Sequence, residues 1–166
     1  YQTSLPHIYA VGDVIGPPAL VSTSNRQGRL AAKHAVKGEM VHHINEHIPS
    51  AVYTLPEIAM IGLTEQQLIE NEIPYRRGIC HFDELAQGLM LGEREGFLKL
   101  LFYADTNRIY GIHIIGPMAA ELIHMGQAMM RLGGGVDYFQ NEIINFPTLS
   151  SAYKVAAMDG LNDDAG

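Results

Sequence analysis

Tyr53-Thr-Leu-Pro-Glu-Ile-Ala-Met-Ile-Gly-Leu-Thr-Glu65, continued by Gln66 and Gln67, decides the fold. Ala51 to Thr54 and Ile58 to Ile61 are short apolar runs parted by Pro56-Glu57, which predicts strand, turn, strand. Thr64-Glu-Gln-Gln67 then spells a capping box, in which the threonine hydroxyl and the glutamine side chain satisfy free backbone donors at a helix start. That helix should reach about Asn71 and stop at Ile73-Pro74. The Pro-Glu and Gly-Leu-Thr-Glu pieces are scaffold and carry no chemistry.

Downstream, Tyr75 to Phe82, Phe97 to Tyr103 and Arg108 to Ile115 read as three more strands, the last two joined through Ala104-Asp-Thr-Asn107 as a hairpin. A helix from about Ala119 to Leu132 follows, and Gly133-Gly-Gly135 ends it, because glycine runs favour neither helix nor strand. A short helix near Asp137 to Glu142 and another over about Ser150 to Met158 complete the pattern. Strands first and helices afterwards indicate an α+β domain, an antiparallel sheet with helices on one side. Upstream, Ile8 to Val11 is a short apolar run of buried-strand type ending in Gly12-Asp13. Gly16-Pro-Pro18 breaks the chain, and a helix from about Val21 to Lys37 is closed by Gly38. The expected division is residues 1–47, a strand and helix of an α/β unit plus connector, and residues 48–166, the α+β domain.

Composition narrows the function. The 166 residues are 47% hydrophobic, enough for a core. Acidic residues outnumber basic ones 18 to 11, for a formal charge of -7. With no basic run longer than Arg76-Arg77, nucleic acid is not the expected partner. No apolar run is long enough to span a bilayer, so no membrane partner is expected either. Tyr1 to Ile8 lacks the charged and apolar regions of a signal peptide and looks like the middle of a domain. The single cysteine, Cys80, lies in a strand-like run and is expected to be a small buried hydrophobe; it fits a reducing compartment, and the cytoplasm is the expected location. Among the eight histidines, His42, His43 and His47 invite a metal reading, but only Glu46 stands near to extend a ligand shell and Pro49 limits any helix, so no metal site is assigned.

The Tyr53–Glu65 stretch, Ile8-Tyr-Ala-Val-Gly-Asp-Val14, and Asn145-Phe-Pro-Thr-Leu-Ser-Ser-Ala-Tyr-Lys-Val-Ala-Ala157 together resemble the flavin-dependent pyridine nucleotide-disulfide oxidoreductases. The resemblance implies the end of an FAD-binding domain followed by the family's C-terminal dimerisation domain. In the family, the residue matching Asp13 binds the ribityl chain of FAD, and the start of the matching helix faces the flavin ring. Gly12, Asp13, Ala19 and Leu20 are therefore the expected cofactor contacts, and Gly28 would permit close backbone approach. By itself the Gly-Asp dipeptide reads first as a plain turn. On the Ala119–Leu132 helix, Leu122, Ile123, Gly126, Met129 and Met130 share a face, and Met125 and Ala128 widen it. Periodicity alone leaves both faces buried within one domain as the alternative. The resemblance points instead to a homodimer through Leu122, Met125, Met129, Phe146, Pro147 and Thr148.

In disulfide-reducing members the last motif reads His-Pro-Thr-x-x-Glu, where the His protonates a departing thiolate and the Glu orients it. Phe146 and Ser151 hold those two places, and neither can do that work. No catalytic residue is assigned. The match is nearest to the soluble pyridine nucleotide transhydrogenase branch, with its Asn-Tyr-Pro-Thr and Ala-Tyr-Arg-Val-Ala-Ala motifs, although that branch has Tyr and usually Glu where Phe146 and Ser151 stand. The expectation is the tail of an enzyme using FAD, with NADPH and NAD as substrates, the piece alone holding no cofactor and showing no turnover. The alternatives are a dihydrolipoamide-dehydrogenase-like parent and a purely structural homodimerisation module.

Overall fold

Residues that alternate in character along a strand must find a partner layer for one face only, and that requirement organises most of this protein. The computed structural model describes residues 1–38, 47–93 and 95–162. The chain divides into two compact units, Tyr1–Glu46 and His47–Gly166. No helix among the described residues is long and apolar enough to cross a membrane. Of the histidines weighed above, His42 and His43 lie outside the described residues.

In the first unit, a 3-10 turn over Gly12–Ile15 precedes helix α1 (Val21–Lys37). Gly38 closes α1 in the left-handed conformation, its N–H donating to His34 O at 2.8 Å. The strand expected over Ile8–Val11 does not form. Tyr9 makes one isolated bridge to Gln2, and Thr3 N–H donates to Ile8 O at 2.9 Å, so the segment doubles back on Tyr1–Thr3. A lone apolar run has no sheet to join in this unit, and strand geometry needs neighbours to satisfy its backbone groups. Gly12 takes a φ of +77°, natural for glycine, and its N–H donates to the buried Gln27 Oε1 at 2.6 Å.

The second unit runs β1 (Ser50–Val52), β2 (Ile58–Gly62), α2 (Glu65–Glu70), β3 (Arg76–His81), α3 (Ala86–Leu91), β4 (Phe97–Phe102), β5 (Ile109–Ile115), α4 (Ala119–Arg131), α5 (Val136–Asn141) and α6 (Ser151–Asn162). The strands form one antiparallel sheet in the order β1-β2-β5-β4-β3. Ala59, Ile61, Leu98, Leu100, Ile112 and Ile114 face the core and are essentially inaccessible. Helices α4 and α6 cover that face: a Cβ added at Gly126 of α4 would strike Ile112, and one added at Gly78 of β3 would strike Ala156 of α6. The opposite face presents Met60, His113, Lys99 and Ile79 in register. There Glu65 of α2 accepts from Lys99 Nζ at 3.1 Å, Tyr75 Oη at 2.9 Å and Arg77 Nη1 at 3.3 Å.

Two polar contacts lock the layers. Tyr153 of α6 is fully buried; its hydroxyl donates to Leu122 O at 2.8 Å and accepts from Gly126 N–H at 3.2 Å, joining the backbone ladder of α4. Met118, ahead of α4, has a φ of +59° and offers no capping side chain. Glu57, from the Pro-Glu corner between β1 and β2, supplies the cap: its Oε2 accepts from Ala120 N–H at 3.1 Å. A carboxylate at a helix start is favoured by both hydrogen bonding and the helix dipole. Replacing Glu57 with alanine should lower stability by about 1 kcal/mol in urea titrations, with Glu57→Gln retaining part of that.

The capping box forms as read, Gln67 N–H donating to Thr64 Oγ1 at 3.2 Å and Thr64 N–H to Gln67 Oε1 at 2.9 Å. Helix α3 was not foreseen. It is six residues long, and Gly88 within it lies directly against the backbone of Phe82, so its placement is dictated by tertiary contact rather than by periodicity.

Candidate functional site

The segment between α5 and α6 shapes a groove in the second unit. Its backbone is pinned locally: Thr148 Oγ1 donates to Asn145 O at 2.7 Å, and Lys154 Nζ donates to Glu142 O at 3.2 Å. The Phe146–Pro147 peptide is cis. Phe146 is 79% exposed and Ile143 96% exposed, beside a groove of about 380 Å³ lined also by Leu85, Val155 and Met158. Thr148 and Ser151 line it as well, and their hydroxyls lie 3.4 Å apart.

The titratable groups on this groove are Glu84 and Lys154. No imidazole or thiol lines it. At residues 146 and 151, where the resemblance implies a proton donor and its orienting carboxylate in disulfide-reducing members, the groove offers an aromatic ring and a hydroxyl. Phe146 has no titratable proton, and the Ser151 hydroxyl cannot take the part of a carboxylate that orients an imidazole. The contributions of Glu84, Leu85, Ala86 and Gln87 had no signal in the sequence, because they depend on the unforeseen α3.

The structure distributes the expected dimer residues unevenly. Phe146 and Pro147 are exposed and Thr148 is half-buried. On α4, Leu122 is buried in the unit's own core, while Met125 and Met129 are partly buried and pack against it. The exposed positions of that helix are Glu121, His124, Ala128 and Arg131.

In the first unit, the expected flavin contacts have the right chemical character. Asp13 is exposed, as is Ala19, and Leu20 is half-buried. Leu20 N-caps α1 with no side-chain bond, so the helix start keeps its free N–H groups and positive dipole end for an electron-rich ligand. Apart from its own helix backbone and chain neighbours, no atom of the described residues lies within 4 Å of where a Cβ at Gly28 would stand. A carboxylate able to accept from a hydroxyl, an uncapped 17-residue helix and an open glycine fit the type of group the resemblance implies.

No cluster of His, Cys, Asp and Glu suited to a metal exists among the described residues. Cys80 is fully buried, and burial, reinforced by Glu84, pushes its thiol up to about 12, so it is no nucleophile near neutral pH. His113 has both ring nitrogens buried without a hydrogen-bond partner. Burial, and then the Lys99 ammonium, hold its pKa down at about 4.

Comparison with known proteins agrees with this geometry. Residues 48–157 match the family described as pyridine nucleotide-disulphide oxidoreductase, dimerisation domain. Proteins named soluble pyridine nucleotide transhydrogenase from Enterobacter sp. strain 638 and Salmonella typhimurium are 52% and 51% identical over 98% of this chain, which spans 35% of their length. Among solved structures, LpdA from Mycobacterium tuberculosis superposes with a TM-score of 0.84 at 29% identity, over 95% of this chain and 34% of that one. The flavoprotein disulfide reductase RclA from Escherichia coli shares the fold, with a TM-score of 0.83 at 20% identity over 91% of this chain and 35% of that one.

Proposed function

Because this chain belongs to the pyridine nucleotide-disulphide oxidoreductases, matching their dimerisation domain, we propose that it serves as the dimerising part of an FAD-dependent enzyme that moves hydride between NADPH and NAD. The observation that carries this reading is the groove with Phe146 and Ser151 on its wall. Disulfide reduction requires a proton for the departing thiolate, and these two side chains cannot hold or orient one. Hydride exchange between nicotinamides has no such requirement at sulfur. Bound FAD would supply the hydride relay, and the protein's share is position and electrostatics.

In that role Asp13 would accept a hydrogen bond from a ribityl hydroxyl, and the free N–H groups of the first turn of α1, which follows Ala19 and Leu20, would face the electron-rich edge of the ring. Phe146, Pro147 and Thr148, with Met125 and Met129 beside the Leu122 core, would meet a second copy. An interface between identical copies is self-complementary about a two-fold axis. The proposed setting is a cytoplasmic homodimer. The identity to soluble pyridine nucleotide transhydrogenases across nearly all of this chain supports the choice of branch.

The test uses the full-length protein that carries this segment, assayed for hydride transfer from NADPH to a chromogenic NAD analogue and, separately, for NADH-driven lipoamide reduction. Transfer well above background with lipoamide reduction at background is the expected result. The reverse would favour a dihydrolipoamide-dehydrogenase-like parent. Absence of both, from a dimeric and colourless protein, would reduce this chain to a structural dimerisation module.

A further inference from the structure

Strand β3 is an outermost strand of the sheet. Its outward N–H and C=O groups are therefore a row that another strand could pair with. Two bonds fix which residues point outward. Phe82 N–H donates inward to Gly96 O at 3.1 Å, continuing the ladder with β4, whereas Ile79 N–H donates away from it, to Asp159 Oδ2 on α6 at 2.8 Å. With a period of two, Arg77, Ile79 and His81 carry the outward amides. His81 N–H donates to Glu84 Oε2 at 3.1 Å. Two consecutive outward donors thus end on carboxylates that come from different parts of the chain. The thiol of Cys80 occupies the outward carbonyl of His81 at 3.4 Å.

Glycines make the arrangement possible. Gly78 and Gly160 let α6 settle onto β3 so closely that a side chain at either position would strike the other element or Phe102. Asp159, next to Gly160, then reaches around the rim of the sheet. The opposite edge, β1, is only three residues long, so among the described residues β3 is the edge with more backbone to support strand addition.

We infer that β3 is a guarded edge: a latent pairing surface for β3 of a second copy, held closed by the carboxylates of Asp159 and Glu84. Antiparallel pairing of two β3 strands about Ile79 would be isologous and would satisfy the same amides that the carboxylates now take. The guard leaves self-association to side-chain surfaces such as the groove.

Wild type, Asp159→Ala, the Glu84→Ala/Asp159→Ala double variant and the Glu84→Gln/Asp159→Asn control decide the matter. Amide hydrogen exchange at Ile79 and His81 should quicken by about tenfold or more in the double alanine variant, with amides of central strand β5 unchanged. Sedimentation should show that variant forming larger species as concentration rises, while the amide control, which keeps its acceptor oxygens, assembles as wild type. Adding Ile79→Pro, which removes the central donor, should abolish the extra association. An unchanged assembly state in the double alanine variant, or association that survives Ile79→Pro, would overturn the inference. Should the double variant fail to fold, the single Asp159→Ala change suffices: an Ile79 amide exchanging as slowly as in wild type would overturn it.

Discussion

Gly78→Ala is expected to lower the stability of the second unit by about 3 kcal/mol, the upper end of what overpacking a close contact costs. The added methyl would fall on the carbonyl oxygen of Ala156 and within 2.8 Å of Gly160 N. The three atoms nearest to it are all backbone, so no rotamer change can make room there, and α6 would have to lift from β3 as a body. Gly126→Ala provides the contrast. Its methyl meets Ile112 Cδ1, a side-chain end that can shift, and the phenol of Tyr153, whose displacement would weaken its two hydrogen bonds to α4, while the helix gains propensity. Urea denaturation followed by circular dichroism should therefore place Gly78→Ala well below Gly126→Ala. The opposite order would mean that α6 adjusts its seat on the sheet more freely than this packing allows.

The second large effect is acid sensitivity at His113. An unfolded chain titrates this imidazole near the ordinary value of 6.5, whereas the folded protein holds it at about 4, mainly through burial and then through Lys99. Between these values the unfolded state binds the extra proton, so falling pH favours unfolding. The contribution is fully present above pH 6.5, is lost progressively as pH falls towards 4, and changes no further below that. With the imidazole only partly withdrawn from solvent, about 2 kcal/mol is the expected loss. His113→Phe keeps a planar ring and removes two buried nitrogens that lack partners. That variant should lose the corresponding part of the stability difference between pH 7 and pH 4.5 and should be no less stable at pH 7. A wild-type pH slope in His113→Phe would assign the acid sensitivity to other groups.

What the sequence disclosed and what it withheld divide along the range of the interactions. Thr64 and Gln67 lie three residues apart, and their capping box was legible because both partners sit in one helical turn. The strands containing Leu98, Leu100, Ile112 and Ile114 showed themselves as two apolar stretches joined by the short polar turn Ala104-Asp-Thr-Asn107. Ile8–Val11 misled because an apolar run specifies burial, not a pairing partner, and the segment found only Tyr1–Thr3. Helix α3 stayed hidden because six residues around Gly88 carry too little periodicity, and its position depends on Phe82. For the candidate site, the absence of an acid at residue 146 and of its carboxylate at residue 151 was plain from residue type. The groove was not, since Leu85 and Met158 meet only through the tertiary fold. On α4, amphipathicity gave a wide apolar stripe but could not separate Leu122, which faces the core, from Met125 and Met129 at its margin.

The phenol of Tyr153 carries a mechanical consequence. Because its oxygen sits within the hydrogen-bonding of α4 at Leu122 and Gly126, peeling α6 away would also loosen the middle turn of a neighbouring helix. The two helices should therefore melt together as one cooperative block rather than fray in sequence, with the amide of Gly126 opening only when the whole unit does.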